Sequence, residues 1–271
     1  MAYETLTIER DQSIATLTLN RPDSLNGITR QMVRELIAAF AEVEQDEGVR
    51  VLVMTGAGRA FCAGFDLKEI MLNPATTVEQ RKRLTENEKL MQRGLWELTK
   101  PVIARVHGPA VGGGLSLAML ADFVIASEEA RFGEPEILFG VGPGVGLAWL
   151  LNMRKAKELI MLGEIISARQ ALDLELINRV VPPSELDDTV SDLARRLAKI
   201  SPIAMTHVKQ AFRKVYEVQG YWNAFDYSHE LFNLGRMAPD PDRDEFRRRI
   251  ETDGVKAALA WRESRRRADE G

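Results

Sequence analysis

The chain has a single cysteine, Cys62, so no internal disulfide can form and no cluster of thiolates can hold a metal. Its three histidines, His107, His207 and His229, are scattered without the close spacing of a ligand pair, and a metal site is not expected. No apolar run approaches the ~20 residues that a membrane-spanning helix needs, so no membrane role is expected. Met1 to Glu9 contain no basic segment followed by an apolar one, which makes the cytoplasm the expected compartment. Basic residues are not in excess, and the formal net charge of −4 argues against nucleic acid as a partner. What remains is an ordinary soluble composition, 45% hydrophobic and 28% charged, over 271 residues. That length supports a full core, in one large domain or a domain with an appended part.

Leu6, Ile8, Ile14, Leu17 and Leu19 on either side of Asp11 and Gln12 predict a β-hairpin. Thr29 reads as the N-cap of a helix whose apolar residues, Met32, Val33, Leu36, Phe40 and Val43, recur at helical spacing until Asp46. Val49 to Thr55 is the next strand. Asn73 to Thr77 precede a long helix reaching Lys100, with Arg81, Lys82 and Arg83 on its solvated face. Short helices follow over 156–162 and 168–176, then a strand over 178–181, and Ser184 to Asp187 open a helix to Ile200. From Ser201 and Pro202 onward the pattern is helical. The expectation is an α/β core over 1–200 and a helical part over 201–271.

The stretch from Pro101 to Gly146 organises the rest. A β-branched run, the triple glycine Gly112 to Gly114 and a Leu/Ala/Met run predict a strand, a tight turn and a buried helix. Such a turn leaves free main-chain N–H groups at a helix N-terminus, where they can hold an oxygen that is gaining negative charge. A second turn, Ala63-Gly64-Phe65, leads into a short helix near Asp66 and offers another donor. The Gly56-x-Gly58 before it lacks the third glycine of a dinucleotide fingerprint, Phe61 standing in its place. Glu136 follows Pro135 and suits a helix start, where a carboxylate is stabilised by the dipole. Glu134 is another acid close by.

Six segments in order resemble the crotonase superfamily, the enoyl-CoA hydratase/isomerase family. They are Leu19 to Pro22, Val51 to Gly56, Ala60 to Lys68, Pro101 to Gly114, Ala130 to Glu136, and Gly142 to Gly144. The likeness spans nearly the whole chain and is more specific for fold than for reaction. It implies a crotonase-like spiral of ββα units over 1–200 that carries an acyl-CoA site. It also implies a C-terminal helical region over 201–271 that closes this site and builds homotrimers or dimers of trimers. Coenzyme A would be part of the substrate, with no separate cofactor. By position in the family's motifs, the main-chain N–H groups of Phe65 and Gly113 would form an oxyanion hole. Leu25, Ala63, Asp66, Leu67 and Lys68 fall on segments that line the coenzyme A.

Hydratases of this family use two glutamates that share a water. The second matches Glu136, but the position of the first, three residues past the middle glycine, is Ser116. A serine hydroxyl can orient water, yet near neutral pH it cannot act as a carboxylate base. A lone glutamate resembles the Δ3,Δ2-enoyl-CoA isomerases, and Ser116 with Glu136 resembles the hydroxycinnamoyl-CoA hydratase-lyases. Hydratase, isomerase and lyase therefore all stand open, beside a binding member of the fold without turnover. Tyr227 reads either as a donor to a substrate hydroxyl or as a packing residue at an interface. Phe65, Leu72, Trp96, Leu138, Phe139 and Trp149 are candidates for the acyl pocket.

Overall fold

The computed structural model describes residues 3–140 and 146–268. The Gly142 to Gly144 part of the family resemblance lies outside them. Alternating apolar residues make the opening hairpin, in which Leu6–Asp11 (β1) and Ile14–Leu19 (β2) pair antiparallel. The Thr29 hydroxyl accepts from the Met32 amide and starts Arg30–Gln45 (α1), whose stripe of Met32, Val33, Leu36, Phe40 and Val43 is buried. Val51–Gly56 (β3) runs parallel to β2 and is buried along its length, which explains a run of Val, Leu and Met without polar alternation. Leu67–Leu72 (α2) and Val78–Glu97 (α3) follow, capped by the Asp66 and Thr77 side chains.

From here one unit recurs: a strand in a large sheet, a strand in a small sheet, then helix. Val102–Val106 (β4), Pro109–Val111 (β5) and Gly113–Met119 (α4) make one such turn. Phe123–Ser127 (β6) and Arg131–Gly133 (β7) begin the next, which continues through a 3₁₀ turn, Pro135–Phe139, into Leu147–Leu150 (α5) and Met153–Leu162 (α6). Ile165–Ser167 (β8), Ala168–Asp173 (α7), Arg179–Val181 (β9) and Leu186–Ala198 (α8) close the spiral. The large sheet has the order β1-β2-β3-β4-β6-β9 and the small one β5-β7-β8. A bridge from Cys62 to Ala110 extends the small sheet back to the turn after β3.

Alternation along β3 serves both faces of the large sheet. Leu52 and Met54 join the main core with α1, α3 and α4, whereas Val51 and Val53 meet Leu186, Val190 and Leu193 of α8. Phe40, Phe61 and Phe132 are fully buried, and each would cost about 3–5 kcal/mol if cut to alanine. Three helices complete the chain: Pro202–Val218 (α9), Tyr221–Met237 (α10) and Pro241–Ala268 (α11), the last broken at Gly254. Lys209 fastens α9 to the spiral, its ammonium 2.5 Å from Asp122 and donating to Lys100 O. On α11, Phe246 and Ile250 pack against Met71 of α2. No helix among the described residues is long and apolar enough to cross a membrane.

Two local expectations are corrected. Arg81 is not on a solvated face: it is buried against α10, paired with Glu88 at 3.0 Å and donating to Asn233 Oδ1. Its partner across the interface lies 152 positions away, beyond the reach of a local charge pattern. Ser184 makes no capping bond, because a 3₁₀ turn over Pro183–Glu185 precedes α8. The capping box instead belongs to Ser167 and Gln170 at the start of α7.

Candidate active site

A cavity of about 1830 Å³ is lined by the turn after β3, the start of α4, the 3₁₀ turn and faces of α3, α9 and α10. Asn26 shapes its first wall. This buried side chain donates to the carbonyls of Ala57, Ala60 and Phe61, so it folds the loop that carries Cys62 and Gly64. The Cys62 thiol donates to Asn26 O and is pushed up to about 12 by burial, which makes it an inert packing group. His107 is held between Arg105 and the Gly58 carbonyl and takes no part in the cavity wall.

The turns at 63–66 and 112–114 meet. A parallel bridge uses Gly64 O and Asp66 N to bond Ile28, which leaves the Phe65 N–H facing the other way. Gly113 is the first residue of α4, so its N–H has no partner within the helix. Neither amide has an acceptor among the described residues. Glycine is needed where the turns approach: Gly64 has φ +89°, and a Cβ there would stand 2.8 Å from Val111 O and 3.3 Å from Gly113 N. The Phe65 ring packs against Gly113, 2.9 Å from where a Cβ there would be.

Glu136 enters from the 3₁₀ turn, placed by Pro135 at the first position. Its carboxyl lies against Gly112, where a Cβ would collide with Oε1. Burial pushes it up to about 7, while a hydrogen bond from its own main chain and, after it, the Arg236 guanidinium pull the other way. Ser116 lies in the first turn of α4 and lines the same cavity. Glu134 also lines it, at only 4% exposure, and is raised well above the usual carboxylate range by burial and by Glu136. The Oε2 atoms of both glutamates are buried with no hydrogen-bond partner.

Leu25, Ala63, Asp66, Leu67 and Lys68 all line the cavity. Leu25, at φ +53°, accepts from the Ala63 amide, and this bond joins two of its walls. Asp66 has both oxygens engaged, one capping α2 at the Glu69 amide and one 2.9 Å from Arg21. Leu67 and Lys68 open α2, with no acceptor for their own amides within the helix.

Of the pocket candidates, Phe65, Trp96, Leu138, Phe139 and Trp149 line the cavity. Leu72 does not; it packs beside Met71 and Phe246 in a separate cluster. Tyr227 is 66% exposed on α10 and is not in the cavity wall. Two other tyrosines take the interior. The Tyr221 ring stacks on Trp96 with centroids 5.0 Å apart, and Tyr216 meets both edge to face. Burial and the Glu134 charge push the Tyr221 hydroxyl up to about 12. Arg236, on the same helix, is lowered to about 10 by burial and by Arg81. Sequence reasoning missed Tyr216, Tyr221 and Arg236 because they lie 80 or more positions past Glu136 in the chain. Glu134 carried a signal: it is a second acid, two residues before Glu136 and just past the end of β7.

The comparisons with known proteins agree on a single family. The family described as enoyl-CoA hydratase/isomerase matches residues 9–234. A short-chain-enoyl-CoA hydratase of Clostridium acetobutylicum is 38% identical over 79% of this chain and 83% of its own length. A 2,3-dehydroadipyl-CoA hydratase of Escherichia coli is 34% identical over 89% and 92%. Among solved structures, an enoyl-CoA hydratase/isomerase from Xanthobacter autotrophicus Py2 superposes with a TM-score of 0.94 at 36% identity, covering 97% of this chain and 99% of that one.

Proposed function

The chain belongs to the enoyl-CoA hydratase/isomerase family, and we propose that it is an enzyme that hydrates an enoyl-CoA thioester. The observation that carries this reading is the meeting, in one cavity, of two main-chain amides without acceptors and a carboxyl that keeps one buried oxygen without a partner. The Phe65 and Gly113 N–H groups donate to the thioester oxygen as it becomes an enolate oxygen, so they bind the transition state more tightly than the ground state. Each such donor contributes about 3 kcal/mol. Glu136 takes a proton from water while the water oxygen bonds Cβ, then delivers it to Cα as the enolate collapses. A pKa near 7 suits both halves of that task. Ser116 orients the water.

Leu25, Ala63, Asp66, Leu67 and Lys68 hold the coenzyme A, which arrives with the substrate and leaves with the product. The unit over 1–200 carries this site and 201–271 covers it. Ile203, Phe212 and Val218 of α9 and Leu231 and Leu234 of α10 are exposed apolar residues, which supports a homotrimer or a dimer of trimers. The hydratase names of the relatives favour hydration. Isomerisation is the second reading, favoured by serine at position 116, since one carboxylate suffices to move a proton between two carbons.

A mass-spectrometric screen of straight-chain, branched and aromatic enoyl-CoAs tests the proposal. Mass gain by one water is the expected result, and Glu136→Gln is expected to remove it while acyl-CoA binding persists. Calorimetric binding of acyl-CoA by a wild type that converts no substrate would overturn it.

A further inference from the structure

Resting on that reading for the reaction and for Glu136 as the base toward water, we propose that Glu134 takes over from Glu136 the delivery of a proton to Cα, as the second acid–base residue that position 116 lacks. Glu134 and Glu136 flank Pro135 at the point where β7 gives way to the 3₁₀ turn, and both line the same cavity. Each keeps one buried oxygen without a hydrogen-bond partner. Among the described residues no cation comes within 4.0 Å of either carboxyl. Two carboxyls so placed cannot both ionise cheaply, so the pair retains one proton near neutral pH.

The groups facing this pair are Arg236 and Tyr221 of α10, with Tyr216 of α9 behind Tyr221. Arg236 acts on Glu136 and favours its carboxylate. Tyr221 is neutral and sits beside Glu134, which has no countercharge. The proton therefore resides on Glu134. Environments that push two carboxyls apart assign their roles. Glu136 accepts a proton from water as the C–O bond forms at Cβ and the Cα=Cβ electrons move into the enolate. Glu134 then gives its proton to Cα as the thioester carbonyl re-forms. Return of the water's proton from Glu136 to Glu134 resets the pair, and the sum is enoyl-CoA plus water to 3-hydroxyacyl-CoA.

The test is Glu134→Gln, which keeps the shape and neutrality of a protonated carboxyl but cannot give up a proton. Two assays run side by side: hydration of crotonyl-CoA, which needs both groups, and deuterium exchange at Cα of butyryl-CoA, which needs the group that moves the Cα proton, Glu134. Glu134→Gln is expected to lower both by about 10²–10³-fold with KM changed less than threefold. Glu136→Gln is expected to lose at least tenfold more hydration than exchange. Adding Ser116→Glu to Glu134→Gln is expected to return part of the hydration. Glu134→Asp covers the case of a misfolded glutamine variant, and it too is expected to lose exchange together with hydration. Hydration or exchange in either Glu134 variant within threefold of wild type would overturn the role of Glu134 alone. A wild type inert in both assays would overturn the reading it rests on.

Discussion

The protein buries glutamates in two places and treats them in opposite ways. Glu35 of α1 lies under the β1 edge and accepts from the Glu4 and Thr5 amides, the Thr5 hydroxyl and the Gln31 amide, at 2.5–3.0 Å. Burial pushes its pKa upward, but these bonds outweigh it and hold the carboxyl below its ordinary value. Glu134 and Glu136 have no such donors on Oε2, and burial leaves both raised. A satisfied buried carboxylate locks a hairpin onto a helix. An unsatisfied one stores unmet hydrogen-bonding capacity where a water or substrate can use it.

The sharpest way to break this contrast is to neutralise one member of each kind. Glu136→Gln is expected to cut enoyl-CoA turnover by about 10³-fold without loss of fold, read by steady-state kinetics and circular dichroism. Glu35→Ala is expected to do the reverse. It strands the buried amide and hydroxyl of Thr5, just before β1, and should destabilise the protein by about 3 kcal/mol in urea unfolding, with kcat of the folded fraction kept. Gly112→Ala tests the wall behind Glu136: the position is left-handed at φ +57° and its Cβ meets the carboxyl. A loss of about 2 kcal/mol in stability is expected, with kcat falling as Glu136 is displaced.

Protons separate the two kinds of site by sign. Glu136 rises from 4.5 to about 7 on folding, so the native state holds its proton longer and stability falls as pH climbs between those values. Glu136→Gln should remove that decline and raise stability by about 3 kcal/mol at pH 8 and not at pH 4, as unfolding at both values will show. For Glu35 the lowered pKa predicts the opposite, stability that is present above the unfolded value and is lost on acidification through the folded one. In kinetics the same Glu136 carboxyl predicts a kcat/KM that climbs as pH passes about 7. The smallest effect is expected for Tyr227→Phe, since that hydroxyl is exposed and outside the cavity: turnover should stay within twofold.

Local patterns carried the hairpin and α1 because each rests on contacts between near neighbours in the chain, whereas the spiral, whose strands pair up to about fifty residues apart, came from the family resemblance. The family motifs named Phe65, Gly113, Ser116 and Glu136, and the structure brings these residues to one cavity. The far wall was not legible. Strands β5, β7 and β8 have three residues each, too short to show alternation. Arg81 read as a surface charge because Glu88 and Asn233, which hold it inside, belong to a helix–helix contact that no local rule encodes. Tyr216 and Tyr221 likewise owe their place to how α9 and α10 dock. Asp66 lines the cavity as the motif implies, and its carboxylate also caps α2 and pairs with Arg21, contacts that no motif spells out.

The stacked rings beside the glutamates give the protein an optical property. Of its four tryptophans, Trp96 and Trp149 line the cavity and Trp222 packs edge-on to Trp96 at 6.0 Å, while Trp261 stands apart among arginines of α11. Excitation of the indoles therefore samples mainly the chamber, and Trp261→Phe would leave the emission almost wholly a report on whether the chamber is filled. Thioester titrations can then be followed by intrinsic fluorescence, without a label or a coupled assay.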